Sequence, residues 1–266
     1  MVFDQSILTF SVIGIFVTSL FFLSLIIRRN DIADVAWGIG IFIVALVSYY
    51  SGSGGNLSLL LTVLAGLWGV RLSLRIFLRN LKKPEDFRYK KWRDEWGRWF
   101  YLRSYLQVYL LQGFLMVVVG YSFVHVNLYG TSYQLGPITI IGLLVWLLGY
   151  FFEVVGDWQL DRFLKSKPAH GMIMDKGLWK YSRHPNYFGE VTMWWGIWLM
   201  TATLPFSYIA LISPLTITFL ILKVSGIPML EKSFADNPAF QEYKKRTSAF
   251  FPLPPKHFYN YEGNNC

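Results

Sequence analysis

Residues 181–190 read YSRHPNYFGE, and residues 191–200, which follow directly, read VTMWWGIWLM. The first stretch is dense in polar and charged side chains, whereas the second has no charge. Pro185 suits the first turn of a helix, where its missing N–H is no loss. The start of such a helix presents free N–H groups and a positive dipole end, and Arg183 adds a full charge. The segment therefore predicts an apolar helix whose first turn can bind an anion such as a phosphate.

Two further polar residues lie on this helix. Asn186 and Glu190 are four residues apart and share one face. The simpler interpretation is a membrane helix with a basic flank. Such a flank needs Lys or Arg, but it has no use for His184, Pro185 and Asn186 ahead of a buried Glu190. We therefore interpret the segment as part of a binding site.

The composition indicates a membrane protein. Of the 266 residues, 54% are hydrophobic and only 15% are charged, whereas soluble domains have about 25% charged residues. We expect one domain over residues 1–266. The net charge of +9 points to a membrane surface rather than to nucleic acid, because the cations cluster between apolar runs. The single Cys, Cys266, excludes a disulfide framework and a cysteine metal site.

Seven apolar runs are long enough to cross a bilayer as helices. The predicted spans are about 7–27, 33–50, 57–78, 104–126, 137–160, 186–203 and 206–223. All 25 Lys and Arg residues then lie on one side or in the adjoining helix turns. The positive-inside rule places that side in the cytoplasm, with the N-terminus outside and the C-terminus inside. We expect an all-α, multi-pass bundle of seven transmembrane helices, in a bacterial inner membrane or the endoplasmic reticulum.

Ionisable residues within the predicted spans all lie in the half nearer the cytoplasm. They are Asp34, Arg71, Arg75, Glu153, Asp157 and Glu190. A charge at the centre of a span costs about 2.5–3.5 kcal/mol, so such residues face a cavity or pair with one another. A structural pair of Arg71 with Asp34 is one possibility, and Arg75 is long enough to snorkel. Short carboxylates cannot snorkel, so they favour a polar chamber that opens to the cytoplasm.

The fifth predicted span carries a stripe of carboxylates, and a basic loop follows it. The stripe consists of Glu153, Asp157 and Asp161, and the loop contains Arg162, Lys165, Lys167, Lys176, Lys180 and Arg183. Together they would suit a nucleotide with both sugars and phosphates. No GxGxxG, P-loop or G-x-S-x-G motif is present. The four His residues have no metal-ligand spacing, so we predict no metal.

Three segments resemble the membrane-embedded steroid and sterol reductase superfamily. They are GLWKYSRHPNYFGE at residues 177–190, EVVGDWQL at residues 153–160, and residues 243–252. The similarity is greatest to its steroid 5-alpha-reductase-like branch of DUF1295-type members. A related Arg-His-Pro pattern occurs in membrane isoprenylcysteine and phospholipid methyltransferases, which use S-adenosylmethionine.

The resemblance implies a seven-helix bundle that holds NADPH in its cytoplasmic half and reduces an activated C=C bond. Asn186, Glu190 and Asp157 match cofactor-binding positions, and Glu153 stands where the reductases have an Asn. Tyr243 matches a C-terminal Tyr, and Arg183 and His184 match the sterol reductase version of the motif. The expected cofactor-binding residues, with the loop and motif neighbours added, are Glu153, Asp157, Lys165, Arg183, His184, Asn186, Tyr187, Glu190 and Tyr243.

On the substrate side, the resemblance places Asp34 at a second-helix Glu and Trp68 at a third-helix Tyr, with Arg71 matching an Arg. The Trp68 N–H can donate a hydrogen bond, but its pKa excludes it as a proton source. The proton would come from Asp34, from Arg71 as an electrostatic donor, or from water. The expected catalytic residues are therefore Asp34, Trp68 and Arg71, acting on a steroid-like or other lipid enone.

Three functional classes remain open. They are an NADPH-dependent reductase, an S-adenosylmethionine-dependent methyltransferase, and a non-enzymatic binding or structural protein. The basic loop favours a phosphate-rich cofactor, because S-adenosylmethionine has no phosphate.

We expect substrate-side helices over about 1–130 and a cofactor-binding half over about 137–260. Membrane lipids and a lipid-like substrate are the expected partners, with no nucleic acid and no obligate protein partner.

Overall fold

The structure is a computed structural model. It describes residues 2–52, 54–81, 83–130, 136–169 and 171–256. Within these ranges the chain forms helices and no β-strand, and one isolated β-bridge joins Ser182 to Ser248. The predicted all-α class is therefore confirmed. Residues 257–266, with His257, Cys266 and the end of the predicted cofactor half, lie outside the described residues, as does His170.

The α-helices share an apolar character except around α4 and near the C-terminus. In chain order they are α1 (Val2–Ile27), α2 (Ile32–Ser51), α3 (Asn56–Asn80), α4 (Phe87–Trp96), α5 (Phe100–Ser104), α6 (Leu111–Val119), α7 (Tyr121–Tyr129), α8 (Pro137–Lys165), α9 (Pro185–Thr201), α10 (Ser207–Ala210), α11 (Ile212–Phe219), α12 (Ile227–Ser233) and α13 (Pro238–Arg246). Short 3₁₀ turns occupy Gly97–Trp99 and Gly177–Lys180, and π-helical turns occupy Tyr105–Leu110 and Leu220–Val224.

Six helical stretches of the described chain are long and apolar enough to cross a membrane. They are Gln5–Ile27, Ile32–Ser51, Asn56–Asn80, Arg88–Val119, Pro137–Lys165 and Ser207–Ser233. They support a multi-pass membrane protein. The predicted span 186–203 corresponds to α9, which has 17 residues and a length of roughly 26 Å, against about 30 Å for the hydrocarbon core. The count of seven spans and the orientation of the termini stay predictions.

The predicted span 104–126 differs from the structure. The apolar stretch begins earlier, at Arg88, and ends at Val119. Gly120 takes φ −80° and ψ 1°, which is outside the α-helical range. A Cβ on Gly120 would lie 2.8 Å from Val44 Cγ1 of α2. The chain therefore bends where glycine allows α2 to approach closely, and α7 starts a separate helix.

One compact unit consists of residues 1–140 and 197–213. Its core includes the close packing of α2 on α3, where a Cβ on Gly38 would lie 2.4 Å from the carbonyl oxygen of Gly69. The Ile39 N–H donates to Ser73 Oγ at 3.0 Å at the same level. Small residues and a hydroxyl at a helix contact are typical of packing inside membranes, where backbones approach closely.

Helix α1 ends on a residue with a left-handed backbone conformation. Arg28 takes φ +55°, and the Arg29 N–H donates to the Ser24 carbonyl at 3.1 Å. This is the Schellman arrangement, in which the left-handed position is usually glycine. A left-handed conformation costs an L-residue about 1–2 kcal/mol. The helix therefore ends on a strained arginine.

The other compact unit consists, among the described residues, of 141–169, 171–196 and 214–256. Glycines hold α8 and α9 together at one-heptad intervals. A Cβ on Gly149 would lie 2.5 Å from the Gly189 carbonyl oxygen, and one on Gly196 would lie 2.7 Å from the Gly142 carbonyl oxygen. A Cβ on Gly156 would lie 3.2 Å from the Asn186 nitrogen. This contact brings the first turn of α9 against the polar end of α8. The prediction of one domain with two functional halves stays a prediction.

Candidate functional site

The segment before α9 is bound to the C-terminal part of the chain by backbone contacts. The Arg183 N–H donates to the Ser248 carbonyl at 2.8 Å, and Ser182 Oγ donates to the Phe250 carbonyl at 2.8 Å. The Tyr243 hydroxyl donates to the Trp179 carbonyl. Burial raises the pKa of Tyr243, so this hydroxyl keeps its proton and remains a donor. The predicted residues of the 181–190 motif are thus fixed by residues 243–250, which carry the third segment of the resemblance.

The Glu231 carboxylate on α12 contacts three basic side chains. Arg183 donates to it from Nε at 2.9 Å and forms an ion pair through Nη2 at 2.7 Å. His184 Nε2 lies 3.1 Å away, and Lys244 Nζ lies 3.1 Å from the second oxygen. Arg183 Nη1 also donates to the Thr247 carbonyl at 2.5 Å. The Arg183 side chain is 7% exposed and that of Glu231 11%, so this pair is nearly closed to solvent, whereas Lys244 is 50% exposed.

The surroundings of His184 favour its neutral form and leave one of its ring nitrogens without a hydrogen bond in the described chain. Burial lowers the pKa of His184, and the neighbouring Arg183 charge acts in the same direction, while Glu231 opposes both. If Nε2–H donates to Glu231, Nδ1 is an acceptor, and it is buried without a hydrogen-bond partner in the described chain. The imidazole stacks on Tyr187, with ring centroids 5.5 Å apart and an interplanar angle of 14°.

The polar end of α8 meets the first turn of α9. Asn186 Nδ2 donates to Asp157 Oδ1 at 3.2 Å. Asp157 and Glu153 are both buried. Asn186 Oδ1 is a buried acceptor that no donor from the described residues reaches. The predicted grouping of Asn186 with Asp157 is thus present as a direct contact, and Glu190 lies one turn further along the same helix.

The other predicted cofactor-binding residues differ in how far their side chains are exposed. Lys165 is exposed at the C-terminal end of α8, whereas Tyr243 is buried and Tyr187 is half-buried. Their contact with a cofactor stays a prediction, as does that of Arg183, whose donors are largely occupied within the protein.

Asp34 belongs to a second polar cluster, in the unit that contains α1 to α7. Its Oδ2 accepts from Arg88 Nη2 at 2.7 Å, and its Oδ1 accepts from the Tyr89 hydroxyl at 2.9 Å. Arg88 also donates from Nε to Asp86 at 2.8 Å. Asp34 and Arg88 are each 26% exposed, whereas Trp68 is buried and Arg71 is half-buried on α3.

Sequence reasoning missed Arg88, Tyr89 and Glu231. Arg88 and Tyr89 lie in a charged, Trp-rich segment after α3, in which no site residue was predicted. Glu231 is the sole carboxylate in the apolar stretch from residue 220 to residue 233. A carboxylate in such a stretch requires a cation, and this signal could have suggested a partner in the basic loop.

No group of three or more His, Cys, Asp or Glu side chains positioned to hold a metal ion occurs in the part of the chain that the structure describes.

Comparison with known proteins gives one family and one distant relative. The model of the family described as "Protein of unknown function (DUF1295)" matches residues 20–247. An uncharacterized protein of Schizosaccharomyces pombe is 22% identical over 257 residues, covering 85% of this chain and 73% of the relative. No solved structure matches.

Proposed function

The chain belongs to the DUF1295 family, which is steroid 5-alpha-reductase-like, and on this premise we propose that it is an NADPH-dependent reductase. Its substrate would be a lipid with an activated C=C bond, a steroid-like or other enone held within the membrane. Membership of this branch was expected from residues 177–190, and the family match over residues 20–247 confirms it. The reductase activity, the cofactor and the residues that serve them are proposals.

The observation that carries the proposal is the set of buried acceptors at the first turn of α9. Asn186 Oδ1 and His184 Nδ1 lack donors among the described residues, and the buried carboxylates of Glu153 and Asp157 lie on the facing stretch of α8. A buried acceptor without a donor is costly to the fold. The hydroxyl and amide groups of a dinucleotide are donors of the kind that such a set would bind. The residues present therefore fit NADPH, with Glu190 and Tyr187 proposed beside them.

Exposed lysines would bind the phosphates. Lys165, Lys176 and Lys180 are exposed in or beside the loop that follows α8. Arg183 has its Nε, Nη1 and Nη2 groups on Glu231 and two backbone carbonyls. We therefore assign Arg183 a positioning role: it fixes Glu231, which in turn orients His184. The spare lysines should favour NADPH over NADH, because only NADPH has a 2′-phosphate.

When bound, NADPH supplies the hydride, and the chain must supply a proton to the substrate. The candidate donor is the Tyr89 hydroxyl, whose proton would pass through the Asp34 carboxyl group to the substrate and leave the negative charge on the Tyr89 oxygen. The Tyr89 hydroxyl already donates to Asp34, and Arg88 adjoins both, with its Cζ 5.5 Å from the Tyr89 ring centroid. The adjacent cation would stabilise negative charge left on the pair after proton transfer. Trp68 and Arg71 stay proposed neighbours of the substrate carbonyl.

The test is the cofactor that the purified protein retains. Full-length protein in mild detergent should bind NADPH, measured by nicotinamide fluorescence, and should prefer it to NADH. S-adenosylmethionine should not compete. Incubation with lipid extract and NADPH deuterated at the transferable position should place deuterium in a saturated lipid. Retention of S-adenosylmethionine without NADPH would favour the methyltransferase instead, and equal affinity for NADPH and NADH would contradict the phosphate assignment.

A further inference from the structure

A cavity of about 510 Å³ lies where α1 ends. It is lined by both cationic or polar side chains and apolar or aromatic ones: Ser24, Leu25, Arg28, Asn30, Arg93, Phe100 and Tyr101. All of these residues belong to the unit of residues 1–140 and 197–213. A volume of this size is typical of small-ligand sites. The proposed reductase does not use it.

Arg28 is the first unusual feature of the cavity. It occupies the left-handed position at the end of α1, with φ +55°, where helices usually place glycine. Its side chain is exposed, and its guanidinium has no hydrogen-bond or ion-pair partner in the described part of the chain. The next residue behaves differently, because Arg29 pairs with Asp31 through Nε at 3.0 Å and Nη2 at 2.7 Å. A strained, unpaired cation on a cavity wall indicates a functional constraint.

Arg93 supplies a second, more rigid cation. Its Nη2 donates to both oxygens of Glu85, at 3.2 and 3.3 Å, and its Cζ lies 4.2 Å from the centroid of the Phe100 ring. Glu85 in turn accepts the Asn30 N–H at 2.7 Å. The guanidinium thus lies over an aromatic ring, with Nε and Nη1 left for a ligand. Since Glu85 balances Arg93, the cavity has a net charge of about +1 from Arg28.

The surroundings of the cavity indicate what kind of anion it would take. Leu25 and Tyr101 on its wall are exposed apolar side chains. Ile26 and Ile27, the last residues of a membrane-spanning stretch, are exposed beside them. An apolar surface next to an anion site suits an amphiphile, because the head group and the acyl chain bind side by side. Basic pockets at the ends of membrane helices bind lipid head groups in this way.

We propose that this cavity binds the phosphate of an anionic phospholipid, with Arg28 and Arg93 as its ligands. Arg28 provides the net positive charge, and Arg93 provides single hydrogen-bond donors from Nε and Nη1, the groups that Glu85 leaves unused. The acyl chains lie along the exposed apolar residues at the end of α1. This site is independent of the reductase proposal and stands if that proposal fails.

The experiment measures lipid retention by native mass spectrometry of the full-length protein, with phosphatidylglycerol and phosphatidylcholine titrated in detergent. Wild-type protein should retain phosphatidylglycerol at a several-fold lower lipid concentration than phosphatidylcholine. The decisive variant is Arg28→Gly. Glycine takes φ +55° without strain, so the thermal stability should stay equal or rise, while retention of phosphatidylglycerol falls about fivefold. Arg28→Asn, which also tolerates the left-handed region, should behave in the same way.

Arg103→Gln is the matched control, because it removes one exposed cation from α5 without touching the cavity wall. If Arg28→Gly weakens phosphatidylglycerol retention no more than Arg103→Gln does, the attraction is a general surface effect and the site is refuted. Equal retention of the zwitterionic lipid also refutes it. Inorganic phosphate at millimolar concentration should not displace the lipid. If it does, the cavity takes a free anion and the lipid assignment is wrong.

Discussion

Each of the two compact units contains a carboxylate bound by an arginine, and the two pairs differ in what else surrounds them. Glu231 is bound by Arg183, His184 and Lys244, and its pair with Arg183 is 11% and 7% exposed. Asp34 is bound by Arg88 and by the Tyr89 hydroxyl, and its pair with Arg88 is 26% exposed on both sides. The pair of Glu231 and Arg183 is nearly closed to solvent, although Lys244 beside it is 50% exposed. Asp34 and Arg88 are partly accessible to solvent, and the buried Tyr89 hydroxyl adds a transferable proton to their cluster.

The two clusters illustrate two roles of a charge inside a membrane protein, namely stabilising the fold and binding a substrate. A nearly closed pair such as that of Glu231 and Arg183 fixes the chain, because removal of one partner leaves the other buried and uncompensated. A partly open cluster with a proton donor, such as that of Asp34, can exchange a partner for a substrate. We therefore expect changes at Asp34 to affect the reaction and changes at Glu231 to affect the fold.

The largest effect is expected for Asp34→Asn. If the pair of Asp34 and Tyr89 delivers the proton, this change should slow reduction of the lipid by about 10²–10⁴-fold, the scale of general acid catalysis, with NADPH binding intact. Single-turnover oxidation of bound NADPH would measure it. Tyr89→Phe, which removes only the hydroxyl, should also slow the reaction.

Asp86→Asn is the control for this prediction. It removes another carboxylate from Arg88, 2.8 Å from its Nε, but leaves the hydrogen bond from Tyr89 to Asp34 in place. Its activity should stay close to that of the wild type. If Asp34→Asn instead lowers the stability and a second change, Arg88→Gln, restores it, Asp34 is a structural ion-pair partner and the catalytic assignment is wrong.

Glu231→Gln tests the other side of the comparison. It leaves Arg183 buried beside a neutral amide, so the free energy of unfolding should fall by about 3–5 kcal/mol, as for other buried pairs broken on one side. Glu242→Gln is the matched change at an exposed pair with Lys245, where about 0–1 kcal/mol is expected. Denaturation in mixed micelles gives both values. Similar losses for the two variants would mean that the Glu231 cluster does not hold the fold.

The sequence was sufficient for the helical class, because apolar runs of about 20 residues predict membrane helices directly. The resemblance assigned Asn186 and Asp157 to one site; the two side chains lie in contact at 3.2 Å, and their role as a cofactor site stays a prediction. The bend at Gly120 could not be predicted, because a glycine in an apolar run is equally compatible with a straight helix. Its conformation depends on the approach of Val44 from another helix.

The charge partners could not be predicted for a related reason. The sequence offers several arginines that could pair with Asp34, and Arg71 was considered as its partner. The structure pairs it with Arg88, 54 residues away, because α4 starts beside the first turn of α2. The partner of Arg183 lies 48 residues further on. Such pairings depend on which helix ends converge, and neither periodicity nor charge pattern encodes that.

Asn186→Ala should lower the affinity for NADPH moderately, with little effect on stability. It removes the buried acceptor Oδ1 and the donor to Asp157. NADPH affinity should fall by about 1–3 kcal/mol, the cost of leaving a buried partner unsatisfied, while the stability changes less than in Glu231→Gln. Fluorescence titration measures this. Asn80→Ala, the same change at the end of α3, should leave the affinity unaltered, and an unaltered affinity in Asn186→Ala would remove Asn186 from the cofactor site.

The smallest effect is a pH dependence of stability that comes from His184. Burial lowers its pKa below the ordinary value of about 6.5, so below that pH the unfolded chain binds a proton that the folded chain does not. Stability is therefore fully present above about pH 6.5 and falls as the pH decreases, by at most about 1.4 kcal/mol per pH unit. Arg183 and Lys244 oppose protonation, Glu231 favours it, and Tyr187 covers the ring.

The measurement is the melting temperature between pH 5.5 and 7.5 for wild type and His184→Gln. Glutamine can still donate to Glu231 but does not titrate, so its curve should be flatter over this range. The loss of this slope identifies His184 as the neutral member of the Glu231 cluster. An identical slope in both proteins would mean that folding leaves the pKa of His184 unchanged. A stability that instead rises in the wild type as the pH falls would mean that His184 is protonated when folded, with Glu231 outweighing burial. The cluster would then hold three positive charges around one carboxylate, and Glu231→Gln should cost more than the 3–5 kcal/mol expected above, at about the scale of a fully buried charge left unpaired.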